Sequence, residues 1–262
     1  MAVGGGAAGI IALIVALFFG VDLNGGGGDI GQQRGQQVPG SPNLAAQCRT
    51  GSDANQSQDC RIVGTVNSIQ QYWKQTVNGY TPARTQLFSQ ATSTACGRAT
   101  SAVGPFYCPG DRKVYLDLTF FNELEQKFGG SAGPFAQAYV VGHEYGHHVQ
   151  NLLGTMSKYQ TGGSGATSNS VRLELQADCY AGTWAKNAVR TGFFSAPFSD
   201  EDIREALSAA EAVGDDRIQQ RTQGYVQPDG FTHGTSAQRE RWFTTGYQTG
   251  DPRRCDTFSG AL

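Results

Sequence analysis

PFAQAYVVGHEYGHHVQNLL, residues 134–153, decides how this chain reads. Pro134 opens a helix, where its missing N–H costs nothing, and Gly154 is the stop. Phe135, Ala138, Val141 and Val149 place apolar side chains along that helix. His143 and His147 are four residues apart. A helix stacks them on one face, about one turn apart, where both imidazoles can share a tetrahedral metal. Glu144 lies beside such a metal without pointing at it, so it can take a proton from an activated water. Gly142 and Gly146 leave room on that face. His148 is five residues from His143 and points elsewhere, so it reads as a supporting residue and not a ligand.

His-Glu-x-x-His is a short pattern, and a zinc hydrolase also needs a third protein ligand and one open position. Downstream stands Leu173-Glu174-Leu175-Gln176-Ala177-Asp178-Cys179. Glu174 and Asp178 share one face of a second helix, kept small by Ala177 and Ala181. Glu174 can complete the ligand set. Asp178 can accept the N–H of a metal-bound histidine, with His143 the expected partner. The alternative is an acidic pair facing solvent, which is usual for such residues on helices. His233 either donates a hydrogen bond to a developing oxyanion or is a loop histidine. Asp215-Asp216 either binds a cation or caps and pairs locally, and local pairing is the commoner outcome.

Around this core, Ile62, Val66, Ile69, Trp73 and Val77 recur at helical spacing and predict an amphipathic helix over 62–77. Val114, Leu116 and Leu118 alternate with polar or amphipathic residues and predict a strand. A short helix is predicted over 122–128 and long ones over 170–191, 200–223 and 236–247, with Asp200 capping the one over 200–223. A strand-bearing first half followed by helices places the domain in the α+β class.

Residues 2–21 carry no charge and centre on Ile10–Phe19. That run just reaches the length needed to cross a bilayer, so residues 1–23 are expected to be an uncleaved transmembrane anchor. Residues 24–44, with four consecutive glycines, paired glutamines and two prolines, read as a flexible linker. The domain then spans 45–262. Six cysteines without a CxxC pair argue against a thiolate zinc ribbon and for disulfides in an oxidising compartment. Spacing suggests Cys48–Cys60 and Cys96–Cys108 as local loops, leaving Cys179–Cys255, although six cysteines admit about fifteen connectivities. Buried free thiols are the alternative. The cysteines place the bulk of the chain on the extracytoplasmic side of a single membrane span. A formal net charge of -2, without a basic run, gives nucleic acid no footprint.

The combination His143-Glu144-Tyr145-Gly146-His147 with Glu174…Asp178 resembles the HExxH…ExxxD arrangement of gluzincins, the thermolysin-like peptidases. More closely, the chain resembles the bacterial, membrane-anchored putative neutral zinc metallopeptidase family. That resemblance extends over Gly104-Pro105-Phe106-Tyr107-Cys108-Pro109, Val114-Tyr115-Leu116-Asp117, Gly214-Asp215-Asp216-Arg217 and Thr232–Arg239, and it covers nearly the whole chain. It implies a zincin fold with a small twisted sheet, one zinc per chain on His143, His147 and Glu174, and Glu144 as catalytic base. It further implies a peptide or protein substrate aligned by an edge strand, for which Lys113–Thr119 is the candidate. Two other functions fit the residues: a zinc amide hydrolase acting on cell-wall peptide, and a non-enzymatic envelope protein that binds metal.

Overall fold

The computed structural model describes residues 21–22, 44–159 and 163–262. The expected anchor and linker lie almost wholly outside them. Among the described residues no helix is long and apolar enough to cross a membrane. Val21–Asp22 forms a two-residue strand, β1. Leu44, read as the end of the linker, instead starts helix α1 (Leu44–Gln47) and is buried.

Helices α2 (Gly51–Gln56) and α3 (Gln58–Thr76) come next. The strands follow: β2 (Arg84–Phe88), β3 (Ala91–Thr94), β4 (Gly97–Thr100), β5 (Phe106–Cys108) and β6 (Lys113–Asp117). The remainder is helical: α4 (Phe120–Gln126), α5 (Pro134–Leu152), α6 (Thr155–Tyr159), α7 (Asn169–Asn187), α8 (Asp200–Ala212), α9 (Asp215–Gln223) and α10 (Ser236–Thr249). The class is α+β, as expected.

Three expectations are corrected. The helix predicted over 200–223 is two helices, α8 and α9, broken at Gly214. A Cβ there would sit 2.5 Å from the Ser236 amide nitrogen, so the chain turns where α10 approaches. The cap of α8 is Ser199, in a capping box with Asp202, and Asp200 is the first helical residue. The strand proposed as a sheet edge is internal. The sheet runs β1-β2-β6-β5, with β6 parallel to β2 and antiparallel to β5. The outer strand on that side is β5, and β3 and β4 form a separate hairpin.

Helix α5 is the hub. Its N-terminus is capped across the fold, the Phe135 amide donating to Glu205 Oε2 of α8 at 3.0 Å. One side meets the sheet region: Tyr145 shares a 2.7 Å hydrogen bond with Thr85 of β2, and His148 bonds the Thr81 carbonyl. The opposite side meets α7 at Gly146, where a Cβ would lie 2.9 Å from the Ala177 Cα. Helices α7 and α10 also approach closely, since a Cβ on Gly246 would collide with the Cys179 carbonyl. The disulfides are Cys48–Cys60, Cys96–Cys108 and Cys179–Cys255, the pairing that spacing suggested. The last ties the C-terminal tail to α7.

Gly246→Ala should force α7 and α10 apart and lower stability by about 1–3 kcal/mol. Thermal unfolding followed by circular dichroism, with the disulfides intact, reads this as a lower Tm.

Candidate metal centre

On α5, His143 and His147 present their Nε2 atoms to each other at 3.1 Å. Glu174, one helix over on α7, brings Oε2 to 3.0 Å from His143 Nε2 and Oε1 to 3.3 Å from His147 Nε2. The three side chains offer ligand atoms that all lie within 4.8 Å of one another. A tetrahedral zinc with bonds near 2.0–2.1 Å holds its ligand atoms about 3.4 Å apart, so the triangle already has the size a zinc ion requires.

The tautomers fit as well. His143 Nδ1–H donates to Asp178 Oδ1 at 2.7 Å, and His147 Nδ1–H donates to Gln150 Oε1 at 2.9 Å. Both Nε2 lone pairs are thereby left for a metal. Gln150 is itself fixed, its amide donating to the Leu173 carbonyl at 2.7 Å and to Gln176 Oε1 at 3.1 Å. Gln176 in turn donates to the Cys255 carbonyl at 2.9 Å.

Asp178 has no exposed surface, and its carboxylate is fully engaged. Besides His143 it accepts the Tyr139 hydroxyl at 2.6 Å, and Arg239 grips it with Nε and a terminal nitrogen, both at 2.9 Å. Burial opposes its charge, but Arg239 and His143 outweigh that and hold its pKa below the usual range. The same competition governs the ligands. Burial disfavours charge on Glu174, yet the two histidines hold its pKa well down. Burial also disfavours charge on His143, but Asp178 and Glu174 outweigh it and raise its pKa to about 10 in the metal-free cluster. A metal entering this cluster therefore displaces a proton.

Glu144 is buried beside the ligands, and no described residue hydrogen-bonds its carboxylate. Burial raises its pKa, against the pull of His143 and His147. His233 stands in the cleft wall, half exposed. Its position is set by Asp215, whose Oδ2 accepts the amides of Thr232, His233 and Gly234 at 2.6–2.9 Å and whose Oδ1 lies 3.3 Å from His233 Nδ1. That contact to Asp215 also raises the pKa of His233. Asp216 accepts the Ser236 amide and hydroxyl at 2.8 and 2.9 Å. Both aspartates thus pair with the segment 17–20 residues downstream and shape the loop that carries His233. His148 is fully buried and faces away, with Tyr107 on Nδ1 and the Thr81 carbonyl on Nε2.

His143, Glu144, His147, Glu174 and His233 all line one cleft of about 510 Å³. Its rim is the segment from Ser101 to Tyr107, which includes part of β5. Sequence reasoning assigned no role to Arg239, Gln150 or Tyr139. Tyr139 could have been found, because it stands one turn before His143 on the same helix face. Arg239 lies far along the chain from Asp178 and carried no spacing signal.

Comparison with known proteins agrees with this chemistry. The model of the family described as "Putative neutral zinc metallopeptidase" matches residues 1–258, and the chain belongs to that family. It is 53% identical over 256 residues to Rv2575, an uncharacterized protein of Mycobacterium tuberculosis, covering 94% of this chain and 86% of that one. It is 40% identical over 265 residues to the uncharacterized protein YpfJ of Escherichia coli K12, covering 98% and 88%. No solved structure matches it significantly.

Three outcomes follow from the buried groups. Arg239→Met leaves Asp178 buried and short of its cation, and should cost about 3–5 kcal/mol in urea unfolding. Asp178→Asn keeps the shape but should weaken zinc binding roughly 10–100-fold in a competitive chelator titration. Burial lowers the pKa of His148 to about 4. The unfolded chain takes up that proton near pH 6.5, and the folded protein does not until the lower value. This contribution to stability is complete above about pH 6.5 and falls away towards pH 4, by up to roughly 3 kcal/mol. His148→Gln should show a shallower loss of unfolding free energy over that interval.

Proposed function

We propose that this family member is a zinc-dependent peptidase that hydrolyses peptide bonds, with one zinc per chain on His143, His147 and Glu174 and with Glu144 as the general base. The observation that carries the reading is the triangle of ligand atoms with a buried, unbonded carboxylate next to it. A purely structural zinc site is closed by protein ligands and has no need of such a group. Zinc bound there supplies a Lewis acid that activates water and polarises a carbonyl.

The protein's own groups do the rest. Glu144, with its pKa raised by burial, takes a proton from the attacking water and returns it to the leaving amine. His233, held by Asp215 and carrying its proton more tightly than a free imidazole, donates to the oxyanion that develops on the carbonyl. Asp178, clamped by Arg239, keeps His143 in the tautomer that faces the metal. An extended substrate is aligned by strand addition at the outer edge of β5, in place of the internal β6. The zincin architecture is part of this proposal: a small sheet over the active-site helix, with the ligand glutamate on a following helix.

The location is proposed with it. Residues 1–23 anchor the chain in the membrane, 24–44 tether it, and the catalytic domain works on the extracytoplasmic side. Three disulfides support an oxidising compartment.

Glu144→Gln should retain near one zinc per chain and lose about 10²–10⁴-fold in turnover of an unfolded protein substrate. His143→Ala should lose the zinc itself. Metal analysis together with a cleavage assay reads both. Full activity in Glu144→Gln would overturn the assignment, and turnover of purified peptidoglycan alone would move the substrate to cell-wall peptide.

A further inference from the structure

The walls of the cleft differ in character from its floor. The floor is the charged metal cluster. The walls are largely apolar and come from separate elements: Phe120 at the start of α4, Phe128 just after it, Val213 before the break, Ile218 on α9 and Met156 on α6. Phe120, Phe128 and Met156 pack on the core with one side and are only partly buried. Part of their apolar surface therefore stays in contact with solvent. Phe120 is seated on the rim backbone, where a Cβ on Gly104 would lie 3.1 Å from its ring. Gly104 adopts a φ of 76°, a conformation that leaves this approach open to glycine.

The charges of the cleft are equally telling. Among the described residues that line it there is no lysine. Its arginine, Arg239, is buried and committed to Asp178. His233 has its Nδ1 side turned to Asp215, so its charge is already matched. Outside the metal cluster the acidic lining residue is Glu123, which pairs with Lys127 at 3.0 Å. Apart from the metal site, a free α-carboxylate would find only His233, whose charge Asp215 already matches, and a free α-amine no unmatched carboxylate beyond the metal cluster's own. Bringing either terminus into the cleft would leave a charge desolvated without a partner.

We infer that the cleft recognises internal segments of a polypeptide, by a large apolar side chain seated against Phe120 and its neighbours, and does not recognise a chain terminus. The peptidase proposed above is then an endopeptidase for apolar stretches, such as unfolded proteins expose, and this consequence rests on the peptidase reading. Phe120 and Ile218 determine the preference through contact with the substrate side chain.

The test is binding, so that it does not depend on turnover. Zinc-loaded, full-length Glu144→Gln is titrated with fluorescent decapeptides that differ only in a central Phe, Leu, Ala, Lys or Asp. Each is made with free and with acetylated and amidated termini. Phe and Leu peptides should bind about 10-fold or more tighter than Ala, Lys or Asp peptides. Blocking the termini should leave affinity unchanged. Phe120→Ala and Ile218→Ala, added to that protein, should erase most of the Phe-over-Ala ratio with zinc content unaltered. Phe120→Leu, which keeps the packing on Gly104, covers the case in which Phe120→Ala does not fold. Tighter binding of free termini, equal binding of Phe and Ala peptides, or no binding of any peptide would overturn the inference. Wild-type turnover on the same peptides is read separately. Peptides that bind with the expected preference and stay uncut would overturn the peptidase reading and leave the recognition assignment standing.

Discussion

Asp178 has no contact with water, and a buried carboxylate must find its donors and counter-charges inside the protein. The helical half is arranged around that requirement. Tyr139 and His143 come from α5, Asp178 from α7 and Arg239 from α10. A second nitrogen of Arg239 donates to the Val213 carbonyl, where α8 gives way to α9. One carboxylate thus joins four segments. Burying these charges is costly, and mutual attraction returns that cost only when geometry is good and every donor is used. The network is therefore weak evidence of added stability but strong evidence of a fixed arrangement. Its product is a histidine whose ring cannot turn.

Such an arrangement needs helix axes close enough for short side chains to reach across. Glycine provides this at the two interfaces involved. Gly146 lets α5 lie on the Ala177 backbone of α7, and Gly246 lets α10 lie on the Cys179 carbonyl. Glu174 and Asp178, one turn apart on α7, are then delivered to the α5 face that carries both histidines. The disulfide from Cys179 to Cys255 fastens the tail against the same stretch, and Gln176 between them bonds the Cys255 carbonyl. His147 is reached through that amide chain, by way of Gln150. The two histidines are thus held by different means: one by a charged clamp, the other by a neutral relay.

Much of this was legible in the residues because it is local. The i, i+4 spacing of His143 with His147, and of Glu174 with Asp178, is a helical property, and it carried the ligand face and the support behind it. The helix over 134–153 announced itself by its apolar spacing, its opening proline and the glycine that stops it. What escaped depends on contacts distant along the chain. Strand β5 has only three residues and gives little signal, and β2 pairs with β6 across the intervening hairpin, so the alternation at Val114–Leu118 could reveal a strand but not whether it lay at an edge. The break at Gly214 is imposed by α10, which packs there. Arg239 is one of many arginines until the fold places it beside Asp178. Asp215-Asp216 read as a cation site or a locally paired cap, and the three amides that Asp215 accepts could not be foreseen because they belong to a loop 17–19 residues downstream.

The electrostatics of the site converge with its geometry. Glu144, Glu174 and Asp178 bring three negative charges into one buried region, and Arg239 returns a single positive one. The region is left short of two positive charges. In the metal-free protein that deficit shows as proton affinity of the histidines: His143 and His147 have raised pKa values despite burial that disfavours their charged forms, while burial itself raises that of Glu144. Protons shared among side chains would be a diffuse answer to that deficit. A single dication held by His143, His147 and Glu174 would be a concentrated one. The size of the triangle, the tautomers of both histidines and the missing charge were set by different parts of the chain. All three are compatible with a divalent metal ion held by His143, His147 and Glu174.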